Sequence, residues 1–74
     1  MTIDAEELRV RFAYHKPSND VVVSRHEQIR QAAGDLAALI VNLTPESREQ
    51  SLAITACEEA MLWANAAIAR RGNG

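Results

Sequence analysis

The segment from Pro45 to Arg71 constrains the fold most, because it reads as one long helix that is apolar on two faces rather than one. Leu52, Ala56, Leu62/Trp63, Ala66 and Ala69 follow one face, interrupted by Glu59, while Ile54, Cys57, Met61, Ala64 and Ile68 follow a second. Seven alanines between Ala53 and Ala69 let neighbours approach closely. One partner helix covers one of these faces. The other must meet a further subunit, or it would be an exposed patch foreign to a soluble monomer.

The partner is supplied by residues 24–43. Ser24 and Glu27 have the spacing of a capping box, and Ile29, Ala32/Ala33, Leu36, Leu39/Ile40 and Leu43 recur at three- and four-residue steps. Thr44 suits an N-cap, Pro45 a first helical residue and Glu46 the first turn, so the second helix is expected over 45–71. Arg70, Arg71 and Gly72 form its stop. So short a link forces the helices antiparallel, with the second outreaching the first by about two turns. Residues 1–11 are expected as a short N-terminal helix with acids early. Residues 12–23 are expected as an extended arm, since Pro17, Ser18, Asn19 and Asp20 are turn formers and Val21–Val22–Val23 is a weak helix sequence. The expected fold is all-α, one domain over 1–74. Gly34 costs its helix about 1 kcal/mol against alanine, which either a close backbone crossing or a neutral position accommodates.

Small chains need a supplement to their core, and at 74 residues with a single cysteine there is no intrachain disulfide. One thiol and two histidines are a poor start on a zinc site, so no metal or other cofactor is expected. Self-association is the remaining supplement. A net charge of −2 argues against duplex nucleic acid as a partner. No apolar run reaches the ~20 residues of a membrane span, and Asp4, Glu6 and Glu7 stand where a signal peptide would carry bases. A cytosolic, soluble protein is expected.

Catalysis finds few groups to use. Glu58 and Glu59 are adjacent on a helix and point about 100° apart, and Glu27 and Asp35 are too far apart to share a metal. His15, His26 and Cys57 have no evident partners, and Cys57 among alanines reads as a small core residue. Two other groupings stand out. Phe12, Tyr14, His15 and Lys16 place two rings, an imidazole and a cation in the arm, a mixture that suits nucleotides because a base stacks on a ring for about 1–3 kcal/mol. The same rings also suit pinning the arm to the hairpin. Arg25 and Arg30 lie on the first helix, and Arg48 beside Ser47 lies where helix amides favour anions. They read equally as exposed members of weak ion pairs with Glu27, Glu46 and Glu49. Asn65, amid Ala64, Ala66 and Ala67, suits a hydrogen bond that fixes helix register.

Taken together these segments resemble the short phage proteins of the anti-CBASS and anti-Thoeris sponge class that share a helical-hairpin domain. The likeness lies in Phe12-x-Tyr14-His15-x-Pro17, in Ile29–Arg30 followed by Ala32–Ala33, and in Pro45-x-Ser47-Arg48-Glu49-x-Ser51-Leu52-Ala53-x-Thr55-x-x-Glu58. It continues through Ala60-x-x-Trp63-Ala64-Asn65-Ala66-Ala67-Ile68-Ala69-Arg70.

The resemblance implies a non-enzymatic binder that sequesters cyclic oligonucleotide immune signals in the cytoplasm of an infected bacterial host. It also implies a homo-oligomer, typically a hexamer of interlocked trimers, with pockets between subunits. Tyr14 would stack on a base of a cyclic dinucleotide and Arg30 would face phosphate, with Arg25, His15 and Lys16 at the rim. Ser47 and Arg48 would belong to a second pocket for cyclic trinucleotides. There Gln50 replaces an arginine of the family's pattern and leaves a hydrogen-bond donor without charge. The alternative is a small helical adaptor or inhibitor that docks on a host or phage protein through the second face of the longer helix.

Overall fold

A computed structural model describes residues 3–14, 16–17 and 19–72, and the described residues form three helices. Helix α1 spans Ala5–Phe12, α2 spans Asp20–Leu43 and α3 spans Arg48–Arg71. Asp4 caps α1 by accepting a hydrogen bond from the Glu7 amide at 2.8 Å, so the helix opens four residues inside the expected 1–11 segment and runs one residue past it.

α2 begins at Asp20 rather than Ser24. Asn19 takes the cap, its Oδ1 accepting from the Val22 amide at 3.0 Å. Ser24 therefore lies inside the helix, where its hydroxyl accepts from Gln28 Nε2, and the expected arm over 12–23 shortens to the linker 13–19. Three successive valines are poor helix formers, but Val22 is only 4% exposed. Burying it offsets the few tenths of a kcal/mol each valine costs.

α3 begins at Arg48 rather than Pro45, and Ser47 is its cap, accepting from the Gln50 amide at 3.1 Å. Thr44 ends α2 instead of starting α3: its amide and hydroxyl both donate to the Ile40 carbonyl. The proline explains this, because the residue before a proline is pushed out of the helical region, and Thr44 is extended. The two long helices thus have equal length, 24 residues each, and the expected two-turn overhang of the second does not occur. The added first turn of α2 covers what would have been the free end of α3.

The helices pair antiparallel. Gln50 reaches Thr44, Cys57 reaches Ala33 and Asn65 reaches His26. The seam follows a spacing near 3.5 residues, with Val22, His26, Ile29, Ala33, Ala37 and Ile40 meeting Gln50, Ile54, Cys57, Met61, Ala64 and Ile68. α3 has therefore turned its second face, that of Cys57, inward, so the face left open to a neighbour or foreign protein is that of Leu52 and Trp63, not the second face expected from the sequence. Among the described residues only Val22 and Cys57 are buried. The result is a plate of 45 × 33 × 15 Å, a single helix layer thick. Domains ordinarily stack two layers around their core. No helix among the described residues is long and apolar enough to cross a membrane.

Candidate functional site

Tyr14 lies two residues beyond the end of α1, in the linker to α2, and is 84% exposed. Phe12, the last residue of α1, is equally open, and Lys16 is exposed. His15, placed at the rim from the sequence, falls outside the described residues. α1 is fastened to the far end of α3 by the last two arginines of that helix. Arg70 Nη2 donates to the Arg11 carbonyl at 3.3 Å, and Arg71 Nη2 donates to both Glu7 carboxylate oxygens at 2.9 and 3.1 Å. Arg11 Nε adds a bond to the same carboxylate at 3.3 Å.

The hydrogen bond from Arg71 holds the Glu7 carboxyl below its ordinary value; desolvation opposes it, and the Arg11 hydrogen bond and the charge of both arginines add to the lowering. A carboxylate with a lowered value in the folded state contributes stability above its unfolded value and loses it as pH falls through the lowered one. The α1 backbone resonances are thus expected to shift as pH falls below the ordinary glutamate range, with those of the α2–α3 seam unmoved, and Glu7→Gln is expected to show the shifted state at neutral pH.

On the plate, Arg30 lines a groove of about 280 Å³ with Gly34, Ala37, Ile54, Thr55 and Glu58. It also borders a broader depression with Glu27, Gln31 and Gly34. The opposite side of the seam carries an apolar groove of about 260 Å³, lined by Ile29, Ala32, Leu36, Ala60 and Ala64. Helical spacing extends that side through Leu39 and Leu43 on α2 and through Leu52, Ala56 and Trp63 on α3. Leu36, Leu39, Leu43, Leu52 and Trp63 are each at least half exposed. One face of the plate is thus polar around Arg30, and the other is greasy. Arg25 does not join Arg30, since five helical residues place them about 140° apart around α2.

Gly34 has nothing within 4 Å of where a Cβ would stand, so no backbone of this chain crosses it. Gly34→Ala is expected to raise the stability of the helix by about 1 kcal/mol. If a neighbouring copy or a ligand approaches closely at Gly34, the same substitution will weaken assembly or binding in a native mass or titration measurement.

Arg48 opens α3 at the turn, with Ser47 before it. The Ser47 hydroxyl is occupied by capping, accepting from Gln50 and donating to the Pro45 carbonyl at 3.0 Å. Gln50, where the resemblance leaves a donor without charge, turns its amide into the hairpin turn. Its Nε2 donates to the Thr44 carbonyl and hydroxyl, both at 3.1 Å, and closes the turn. Arg25, Arg30 and Arg48 form no ion pair among the described residues. Arg48 sits at the turn, roughly 20 Å along the hairpin from Arg30, and Tyr14 leaves from beyond the opposite end. A single chain does not bring the ring, Arg30 and Arg48 into one pocket.

His26 Nδ1 lies 2.9 Å from Asn65 Oδ1. This contact gives Asn65 the cross-helix register role its sequence context favoured, and it turns His26 from an acid–base candidate into a seam residue. His26 falls in step with Ile29 and Ala33 in the heptad, a signal open to sequence reading. Cys57 Sγ donates to the Ala33 carbonyl at 3.2 Å inside the seam. Among the described residues no three of His, Cys, Asp and Glu gather as a metal site requires.

Compared with known proteins, residues 4–69 match a family model, the hairpin domain of Acb2/Tad1. No curated protein and no solved structure matches the chain.

Proposed function

The chain belongs to the Acb2/Tad1 hairpin-domain family of phage cyclic nucleotide sponges, which act against the CBASS and Thoeris defences, and from that membership we propose that it sequesters cyclic oligonucleotide alarm signals without altering them. Members of the family are binders rather than enzymes. In this chain Tyr14 stacks on a base of a cyclic dinucleotide and Arg30 faces its phosphates, with Arg25, His15 and Lys16 near the rim. Arg48, beside Ser47, supplies charge at a second place suited to a cyclic trinucleotide. The protein works in the cytoplasm of the infected bacterium, where withholding the signal keeps the defence effector idle.

The observation that carries this reading is the family match over nearly the whole length of the chain. Its chemistry is supported by three arginines that no carboxylate of the described chain neutralises, since phosphate oxygens are strong partners for guanidinium groups.

Assembly into a closed homo-oligomer, a hexamer in our reading, is part of the same proposal. The chain exposes 5877 Å², whereas a compact monomer of its mass exposes about 4,500 Å². Its radius of gyration is 15.5 Å, against about 11 Å for a compact chain of this length. The surplus surface, roughly 1,400 Å², exceeds the ~800 Å² that one standard interface takes from each partner. More than one neighbour per chain fits that surplus. Pockets at the joins then draw Tyr14 and the arginines from different copies.

Incubation with cyclic di- and trinucleotides, followed by denaturation and chromatography of the released material, tests the function directly. Depletion with intact recovery is expected. Cleaved product would mean a hydrolase. No depletion would leave the adaptor reading, in which the open Leu52–Trp63 face docks on a foreign protein.

A further inference from the structure

We propose that Glu7 and Arg71, with Arg70 on the Arg11 carbonyl, form a latch that positions Tyr14 for its ligand; this rests on the reading of Tyr14 as the base-stacking residue. Tyr14 makes no hydrogen bond among the described residues, and 84% of it faces solvent. Its linker runs from the end of α1 to the start of α2. One end is the Asn19 cap at the start of α2, which the hairpin holds rigidly. The other is α1, eight residues long, which Arg70 and Arg71 grip from the end of α3.

The geometry of the grip matters. Arg71 straddles the Glu7 carboxylate, and Arg70 takes the carbonyl three residues before Tyr14. Two holds on successive turns fix the direction of the α1 axis as well as its position, and so fix the point from which the ring departs. Arg71 is exposed (60%) and Glu7 partly covered (25%), and a pair with one partner open to solvent adds little to global stability. Its consequence is therefore local. With the latch open, α1 takes several placements against the hairpin and carries Tyr14 with it, and the apparent dissociation constant rises by the inverse of the fraction that remains competent.

The test measures binding of a cyclic dinucleotide to the assembled protein by titration calorimetry. Arg71→Ala and Glu7→Gln, approaching the latch from its two sides, are each expected to weaken binding roughly three- to tenfold with the melting temperature of the hairpin unchanged. Arg71→Lys, which keeps a cation for Glu7, is expected to retain most of the affinity. In a Tyr14→Ala background neither latch substitution should cost anything further, because the residue being positioned is gone. Latch variants that bind like the parent, or whose losses add in full to that of Tyr14→Ala, would overturn the latch while leaving the sponge reading intact. A Tyr14→Ala protein that binds normally would instead remove the reading on which the latch rests.

Discussion

Leu39→Arg is expected to break the assembly into single chains and to lower the melting temperature by 10 °C or more. Leu39 is 52% exposed in the lone chain and lies outside the seam with α3. Arginine and leucine have similar helix propensities. For an isolated hairpin this substitution should therefore change stability by less than about 0.5 kcal/mol. In an assembly whose copies stack their greasy faces, it buries an unpaired charge at each join, which costs several kcal/mol. In a domain of this size each kcal/mol moves the melting temperature by about 4–8 °C. Native mass and a thermal melt on the same sample read both effects. A Leu39→Arg protein that keeps the parent's mass and melting point would show that the open face is not an interface.

The second large effect falls on the ligand. Tyr14→Ala is expected to weaken cyclic dinucleotide binding about 10- to 100-fold, the worth of one lost base–ring stack. Arg30→Ala should cost a comparable factor, since a hydrogen bond to a charged group contributes about 1.5–3 kcal/mol. Neither residue supports the fold, because both are exposed and neither makes an ion pair among the described residues. The melting temperature without ligand should stay put, while the stabilisation that saturating ligand gives the parent, about 2.7 kcal/mol at a hundredfold excess over the dissociation constant, should shrink. Calorimetry on the two variants checks both expectations, and unchanged affinity in either one removes that residue from the site.

Much of the hairpin is legible in the sequence because its signals are local. The heptad of Ile54, Cys57, Met61, Ala64 and Ile68, the antiparallel pairing and the Arg71–Gly72 stop need only spacing and end chemistry. Both long helices nevertheless start elsewhere than their nearest motifs suggest. Ser24 and Glu27 form a plausible capping box, but Asn19 caps one turn earlier because burying Val22 rewards the extra turn. At the other end Thr44–Pro45 looks like a cap and first residue, yet Thr44 bonds back to Ile40 and Ser47 takes the role. In each case two good caps compete, and packing against the partner helix decides.

What the site owes to tertiary structure is less readable. His26 and Asn65 stand 39 residues apart in sequence, and the grip of Arg70 and Arg71 on α1 spans still more of the chain. No periodicity predicts such meetings before the register of the hairpin is known. The commitment of Gln50 to the turn is similar, because it depends on where α3 begins. The greasy outer face, by contrast, is written in the two-sided apolar pattern of residues 45–71, and it remains uncovered in the folded chain.

Native mass spectrometry of the purified protein, alone and after mixing with a panel of cyclic di- and trinucleotides, bears most directly on the central claim that copies clasp one another and hold nucleotides where they meet. The account predicts a closed multiple of the 8.1 kDa chain that gains mass in steps of one intact cyclic nucleotide. A stable single chain at micromolar concentration that gains no mass from any of them would contradict it.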